Sequence, residues 1–206
     1  MRKHGKLLPG FATALIAAAT ILAPRTAHAD HVVPPTVPAN LQAPAGTRAF
    51  LAGHAEGTQA YICLPSGSGF AWTFFGPQAT LFADNERQII THFLSPNPEE
   101  GGTLRATWQH SQDTSRVWAL SIAASTDPAF VAPGAIPWLL LRVVGEQSGR
   151  TSPGRLATTV FIHRVNTTGG VIPATGCSVA ADVGRRSLVP YTADYFFYRF
   201  TGKGGS

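Results

Sequence analysis

The sequence predicts an all-β fold, a single antiparallel β-sandwich or barrel-like domain with an extended, proline-rich N-terminal arm. From residue 48 onward, short runs of β-branched and aromatic residues alternate with clusters of Gly, Pro, Asn and Ser. This alternation is typical of short strands joined by turns. No long segment beyond the N-terminal apolar stretch has a helical hydrophobic period. These two observations favour a sandwich or a barrel over a fold that contains long helices.

The first 29 residues are predicted to be an export signal. Basic residues at positions 2, 3 and 6 precede the apolar segment 7–23, and Ala27-His28-Ala29 has the small-x-small pattern that signal peptidase cuts. The uninterrupted apolar part, residues 11–23, is shorter than the roughly 20 residues that a membrane-spanning helix needs. We therefore expect a mature chain that begins at Asp30, is secreted or periplasmic, and keeps no membrane span.

Removal of the signal also removes most of the excess positive charge. The whole chain has 16 basic and 11 acidic residues, and four of the basic ones lie in the predicted signal. The mature chain keeps 12 basic residues against 11 acidic ones, a net charge of about +1. Its arginines are scattered apart from Arg185-Arg186, whereas a nucleic-acid surface needs a clustered basic face. We expect no nucleic-acid partner.

The mature chain divides into an arm, one domain and a tail. Residues 30–47 hold four prolines and are predicted to run extended, as a leader or an edge-covering arm. Residues 48–200 form the single β-domain, and the glycine-rich residues 201–206 are predicted to fray. The predicted strands, in order, are residues 59–64, 70–75, 88–93, 103–109, 116–122, 136–144, 155–166 and 191–200. Residues 135–145 are apolar nearly throughout, which predicts a strand buried on both faces.

The two cysteines, Cys63 and Cys177, are predicted to form one disulfide. An exported chain with an even cysteine count reaches an oxidising compartment, where such thiols pair. Cys177 also follows His163 and Asn166, a combination of residue types that occurs in cysteine nucleophile sites. A nucleophile needs a free thiolate, so the disulfide is the preferred interpretation.

The segment 160–166 places polar residues inside an apolar strand pattern. Side chains alternate along a strand, so positions 161, 163 and 165 share one face while positions 160, 162, 164 and 166 share the other. An arginine on an apolar face is costly unless it is paired. We predict that Arg164 pairs with Asp194, which also lies among apolar and aromatic residues, and that the pair is structural rather than catalytic.

The sequence contains none of the motifs G-x-G-x-x-G, G-x-x-x-x-G-K-[ST], H-E-x-x-H and G-x-S-x-G. No cofactor is expected. The absence of these motifs favours a protein without catalytic activity over an enzyme. The candidate binding residues are His92, Trp108, His110 and Asp113. An alternative is a secreted hydrolytic or carbohydrate-active enzyme, in which Asp113 or Asp194 acts with one of the two histidines.

The mature histidines form no local metal motif. The weak metal candidate is His31, because a free amine at Asp30 and a second-position imidazole can together hold Cu(II). A periplasmic copper-binding protein is therefore a second alternative.

Seven segments also carry a family resemblance. They are GTQAYIC (57–63), AWTF (71–74), THF (91–93), ATWQHSQDTSRVWA (106–119), AIPWLLL (135–141), HRVNTTGG (163–170) and PYTADYFFYR (190–199). In this order they resemble a family of exported bacterial and fungal proteins catalogued as domain of unknown function 3455. The resemblance implies a single secreted domain and supplies no activity or catalytic residue. We expect a binding or structural module of the cell envelope or extracellular space, directed to an envelope polysaccharide or a small ligand.

Overall fold

The computed structural model describes residues 32–150 and 154–202, together with Met1. The predicted signal segment, His31 and most of the predicted tail lie outside these residues. The strands are β1 (Thr47–Ser66), β2 (Gly69–Phe82), β3 (Gln88–Asn97), β4 (Thr103–His110), β5 (Arg116–Ser125), β6 (Trp138–Gln147), β7 (Phe161–Gly169) and β8 (Arg186–Phe200). Single 3-10 turns occur at Ala39–Leu41, Pro98–Glu100 and Ala180–Asp182. In the described part of the chain, no helix is long and apolar enough to span a membrane.

The eight strands form one closed antiparallel barrel in sequence order, and β8 pairs with β1 to complete it. The predicted all-β antiparallel class is confirmed, and of the two predicted architectures the barrel is the one that forms. A strand corresponds to each predicted run. Closure leaves no exposed sheet edge among these strands, which removes a common site of intermolecular strand pairing.

Strand β1 begins at Thr47 rather than at residue 59, so it is much longer than predicted. Its first half contains Gly53 and Gly57, which lower strand propensity and hide the pattern. Both glycines allow neighbouring strands to approach closely. A Cβ at Gly53 would lie 3.1 Å from the Cβ of Leu81, and one at Gly57 would collide with Ala79 of β2.

Strand β7 begins at Phe161 rather than at residue 155, so the predicted start is wrong. Residues 154–160 form turns instead, and Leu156 is fully buried in the barrel core. The amide of Arg155 donates to Asp113 Oδ2 at 2.6 Å, and the amide of Leu156 donates to Ser115 Oγ at 3.1 Å. This segment therefore packs against one end of the barrel, where β4 ends and β5 begins.

The barrel interior is apolar and aromatic. One core cluster combines inward residues of the strands with Leu156, and its largest members include Trp108, Tyr195, Phe197, Leu81 and Ile162. Aromatic rings bury large areas each, so they contribute most of the packing energy of such a core.

A second cluster lies on the outer face of β6, β7 and β8. Val37 and Leu41 of the N-terminal arm cover Trp138, Leu140, Val165, Phe196 and Tyr198. Inward residues such as Leu141 belong to the interior cluster instead. The first half of β6 is thus buried on both faces, as predicted for residues 135–145, because the arm covers its outer side.

His163 fastens the arm to this outer face. The side chain is 1% exposed, its Nε2 lies 2.6 Å from the Leu41 carbonyl, and its Nδ1 lies 2.9 Å from the Tyr198 hydroxyl. A carbonyl only accepts, so Nε2 donates and Nδ1 accepts from Tyr198. Burial lowers the pKa of His163, with the Leu41 carbonyl opposing the shift, and this favours the neutral ring.

The predicted disulfide between Cys63 and Cys177 is present, with a Cα–Cα distance of 5.5 Å. It joins β1 to the connection between β7 and β8. Backbone hydrogen bonds reinforce this junction, since Cys63 N donates to Arg185 O and Gly184 N donates to Cys63 O, both at 2.9 Å.

Candidate functional site

A cavity of about 230 Å³ lies inside the barrel. Every strand contributes at least one lining side chain, so the cavity is the lumen itself rather than a surface groove. Phe74 and Leu104 line it while being 50% and 61% exposed. The cavity therefore reaches solvent near these two residues, away from the end that residues 154–160 cover.

His92 and Trp108 form one wall of the cavity. They are register partners on β3 and β4, and their rings stack with centroids 4.2 Å apart and planes 13° apart. Tyr195 of β8 stands across from both, with ring centroids 5.3 Å from His92 and 5.6 Å from Trp108. The plane of Tyr195 is tilted by 59° and 65° to those of His92 and Trp108, so the three buried rings form an aromatic corner of the lumen that suits an apolar molecule.

His92 is held as a neutral ring. Its Nδ1 lies 2.9 Å from the Thr107 carbonyl, so Nδ1 carries the proton and Nε2 keeps a lone pair. Burial lowers the pKa of His92 to about 3; the Thr107 carbonyl opposes this shift, and the positive charge of Arg164 adds to it. The imidazole therefore adds no positive charge to the lumen near neutral pH.

Arg164 enters the lumen from β7, opposite Tyr195 in the register. Its Nε and Nη2 donate to the Pro137 carbonyl at 3.2 and 2.8 Å. Among the described residues it has no carboxylate within ion-pair distance. The polar groups beside its charge are the Pro137 carbonyl and the hydroxyl of Tyr195, and neither carries a full negative charge.

The predicted pair between Arg164 and Asp194 does not form. In the β7–β8 register Arg164 faces Tyr195, while Asp194 is opposite Val165. Adjacent side chains point to opposite faces, so Arg164 lies inside the barrel and Asp194 lies outside. The alternation predicted for positions 161–165 is correct, because Ile162 joins the interior cluster while Val165 joins the outer one.

Two buried donors of the lumen have no partner in the part of the chain that the structure describes. They are Gln59 Nε2 and Trp108 Nε1, on side chains that are 2% and 1% exposed. Both residues line the cavity. A buried donor without a partner typically costs about 1 to 3 kcal/mol. Each of these two atoms exposes less than 1 Å², so they lie within the packed wall behind the cavity surface.

The four candidate binding residues do not form one cluster. His92 and Trp108 line the cavity, but His110 and Asp113 lie at the end covered by residues 154–160. Asp113 Oδ1 accepts from the amide and hydroxyl of Ser115 at 2.8 and 2.6 Å, so its carboxylate organises a turn. Of the acid-base sets suggested for an enzyme, Asp113 or Asp194 with His92 or His110, one pair is in contact, since His110 Nδ1 lies 3.3 Å from Asp113 Oδ2. That pair lies away from the cavity, and neither aspartate lines the cavity with His92.

A polar cluster outside the barrel joins β1, β7 and β8. His54 Nδ1 lies 2.6 Å from Asp194 Oδ1, and His54 Nε2 lies 2.8 Å from Asp84 Oδ1. Asn166 Nδ2 donates to Asp194 Oδ2 at 2.8 Å. Hydrogen bonds from Asp84 and Asp194 raise the pKa of His54. Sequence separation hid this cluster, because only the β1–β8 register brings His54 beside Asp194.

The His54 cluster predicts a pH dependence of stability. A histidine whose pKa is raised on folding adds stability that is complete below about pH 6.5 and is lost as the pH rises through its folded-state pKa. We expect the melting temperature of the wild type to exceed that of His54→Asn at pH 6 and the two to converge as the pH is raised to about 9. Differential scanning calorimetry across this range measures the difference, and a gap that widens with pH would contradict the assignment.

Among the described residues there is no group of three or more His, Cys, Asp or Glu side chains that could hold a metal ion. The copper candidate His31 lies outside them. The copper-binding alternative stays a prediction.

Comparison with known protein families gives one match. The model of the family described as "Protein of unknown function (DUF3455)" matches residues 44–199. This chain is a DUF3455 protein. The match includes Cys63, Cys177, Arg164 and all the cavity-lining residues. The resemblance noted in the sequence is thereby confirmed. No curated protein and no solved structure matches the chain.

The DUF3455 barrel contains cavity residues that sequence reasoning missed. The sequence pattern predicts strands at Gln59 and Tyr195 but no role in a site for either residue, and it predicts a structural ion pair for Arg164. One signal in the sequence points to this site, namely Arg164 on an otherwise apolar strand face. Its surroundings depend on strands far apart in the chain, since Gln59, Arg164 and Tyr195 belong to β1, β7 and β8.

Proposed function

We propose that this DUF3455 protein is a small-molecule binding module, and that its ligand occupies the lumen of the barrel. The observation that carries this proposal is a solvent-connected cavity to which all eight strands contribute. Structural barrels of this size fill their interior with side chains. A cavity lined mostly by apolar and aromatic side chains, with a few polar groups among them, is typical of a small-molecule binding site.

The cavity restricts the kind of ligand. Ordinary drug-sized pockets measure about 300 to 1,000 Å³, so a lumen of about 230 Å³ fits a smaller, metabolite-sized molecule. A lumen of this volume is too small for a polymer chain, so a small ligand is favoured over an envelope polysaccharide. The cavity lining contains no Asp or Glu, and a glycosidase of the usual kind needs two carboxylates facing its substrate. Binding is therefore favoured over hydrolysis.

The proposed module works outside the reducing cytosol. The Cys63–Cys177 disulfide supports a secreted or periplasmic site of action, because such bonds persist in oxidising compartments. We propose the same division of the chain as the sequence predicts, with the signal at 1–29, the arm at 30–47, the β-domain at 48–200 and the tail at 201–206.

Filling the lumen tests the proposal. We expect the mature wild type to bind naphthalene-2-methanol, a flat neutral probe, in isothermal titration calorimetry. Ala119 is 3% exposed and lines the cavity, so Ala119→Phe should occupy the space and weaken binding by at least about tenfold. Ala106→Leu, a smaller change in the same lining, should weaken binding less.

The matched control is Ala124→Phe, which adds the same ring at an exposed position of the same strand. It should bind the probe like the wild type. Circular dichroism and melting temperature establish that each variant is folded, because overpacking typically costs about 1 to 3 kcal/mol. The proposal fails if the folded wild type binds no naphthyl probe, or if folded lumen-filling variants bind as well as the wild type.

A further inference from the structure

The cavity lining has an unbalanced charge. It contains two guanidinium groups, those of Arg105 and Arg164, and no carboxylate. Arg105 is compensated from outside the lumen, since its Nε and Nη2 donate to Glu100 at 2.8 and 2.7 Å. Hydrogen bonds from Arg105 and Asn97 hold the pKa of Glu100 down at about 2, so that partner is ionised at neutral pH. The remaining positive charge of the lumen belongs to Arg164.

Arg164 keeps donor capacity free for a ligand. Its Nε and Nη2 both donate to the Pro137 carbonyl, and the guanidinium also meets the Tyr195 hydroxyl. A guanidinium has five N–H donors, so these two partners do not use all of them. A guanidinium among apolar groups is costly unless an anion or several acceptors meet it. Carboxylates match the planar fork of arginine better than other common anionic groups except phosphate.

The other nitrogen groups in the wall of the lumen are also mainly donors. Gln59 Nε2 and Trp108 Nε1 are both donors, as is the guanidinium of Arg164. The Nε2 lone pair of His92 is an acceptor in the same wall, but the donors outnumber it, which favours a ligand that brings oxygen acceptors. The rest of the wall is the stacked pair of His92 and Trp108 with Tyr195 across from it, which suits a flat apolar body.

We propose that the ligand of the lumen is a small monocarboxylate with a flat apolar body, and that its carboxylate binds Arg164. This inference rests on the proposed binding function and adds the ligand class. The size of the lumen, about 230 Å³, favours one carboxylate over a phosphate ester with a larger body. On this proposal, Arg164 recognises the ligand and does not form a structural ion pair.

Three matched probes test the ligand class, namely 2-naphthoate, naphthalene-2-methanol and 2-naphthylmethylammonium. We expect the mature wild type to bind the carboxylate about 10- to 100-fold more tightly than the alcohol, because hydrogen bonds to a charged partner are the stronger ones. The ammonium probe should bind more weakly than the alcohol. This comparison uses the wild type only, so it does not depend on how a variant folds.

Substitution of Arg164 provides the second measurement. Arg164→Met should abolish the preference for the carboxylate while leaving binding of the alcohol within about threefold, and Arg164→Lys should retain part of the preference. Arg142→Met is the matched control, since Arg142 is an exposed arginine on the neighbouring strand β6. It should keep the full preference.

The outcomes separate the two proposals. If carboxylate and alcohol bind the wild type equally well, the carboxylate inference is overturned while the binding module stands. The inference is also overturned if folded Arg164→Met keeps the preference, or if 2-naphthoate fails to compete with the alcohol for the lumen. If none of the three probes binds, the proposed function itself fails.

Discussion

Replacing Cys63 and Cys177 with serine is expected to lower the free energy of unfolding by about 4 kcal/mol. The disulfide closes a loop with a sequence separation of 114 residues. Cross-linking a loop of roughly 100 residues restricts the unfolded chain enough to stabilise the native state by about 4.7 kcal/mol on the chain-entropy model. Cys63 is fully buried, so the change also disturbs the packing of β1. Urea denaturation followed by tryptophan fluorescence measures the difference.

Reduction provides the control for this prediction. Dithiothreitol should destabilise the wild type by a similar amount and should leave the double serine variant unchanged. Labelling of two thiols in non-reduced, denatured protein would contradict the bond itself. A double variant as stable as the wild type would mean that the backbone hydrogen bonds between Cys63 and residues 184 and 185 hold this connection without it.

Replacing His163 with leucine is expected to destabilise the protein by about 3 kcal/mol. The substitution keeps a similar volume but removes both hydrogen bonds of the ring. It leaves the buried Leu41 carbonyl and the Tyr198 hydroxyl without their partner, and each unsatisfied group costs about 1 to 3 kcal/mol. Thermal and urea denaturation measure the loss of stability.

A second readout shows where the stability is lost. Because His163 ties Leu41 to the barrel, limited proteolysis of His163→Leu should cut within residues 32–43 before it cuts the barrel. His54→Leu is the control, because it removes an imidazole whose side chain is 49% exposed, and exposed ion pairs contribute about 0 to 1 kcal/mol. Equal stability losses in the two variants would contradict a special role of His163 in holding the arm.

The sequence predicted the elements of the fold well because strand signals are local. Residue pattern alone located a segment of each of the eight strands, and alternation placed Ile162 and His163 on opposite faces of β7. The errors lie where local propensity and tertiary packing disagree. The predicted β1 is too short because its glycines lower strand propensity. The residue types of 155–160 predict a strand, but this segment forms turns that pack Leu156 into the barrel.

Part of the candidate site was also visible in the sequence. His92 and Trp108 were named as binding candidates and do lie together in the cavity. His110 and Asp113 were grouped with them because they are near in sequence, but Asp113 organises a turn at the other end of the barrel. Arg164 was recognised as an unusual residue and given the wrong partner. Alternation shows that a residue points away from its neighbours, and it does not show what stands opposite.

The sequence by itself determined the all-β class, the disulfide and the face on which each residue of β7 lies. Each follows from short-range pattern or from the number of cysteines. The tertiary structure alone decided that the sheet closes into a barrel, that the arm covers β6 to β8, and that Asp194 meets His54 while Arg164 meets an open lumen. The physical reason is that these contacts depend on which strands pair and in what register. The free energy of that pairing includes contacts between residues far apart in the chain, such as His54 and Asp194 at a separation of 140, and no local pattern contains it.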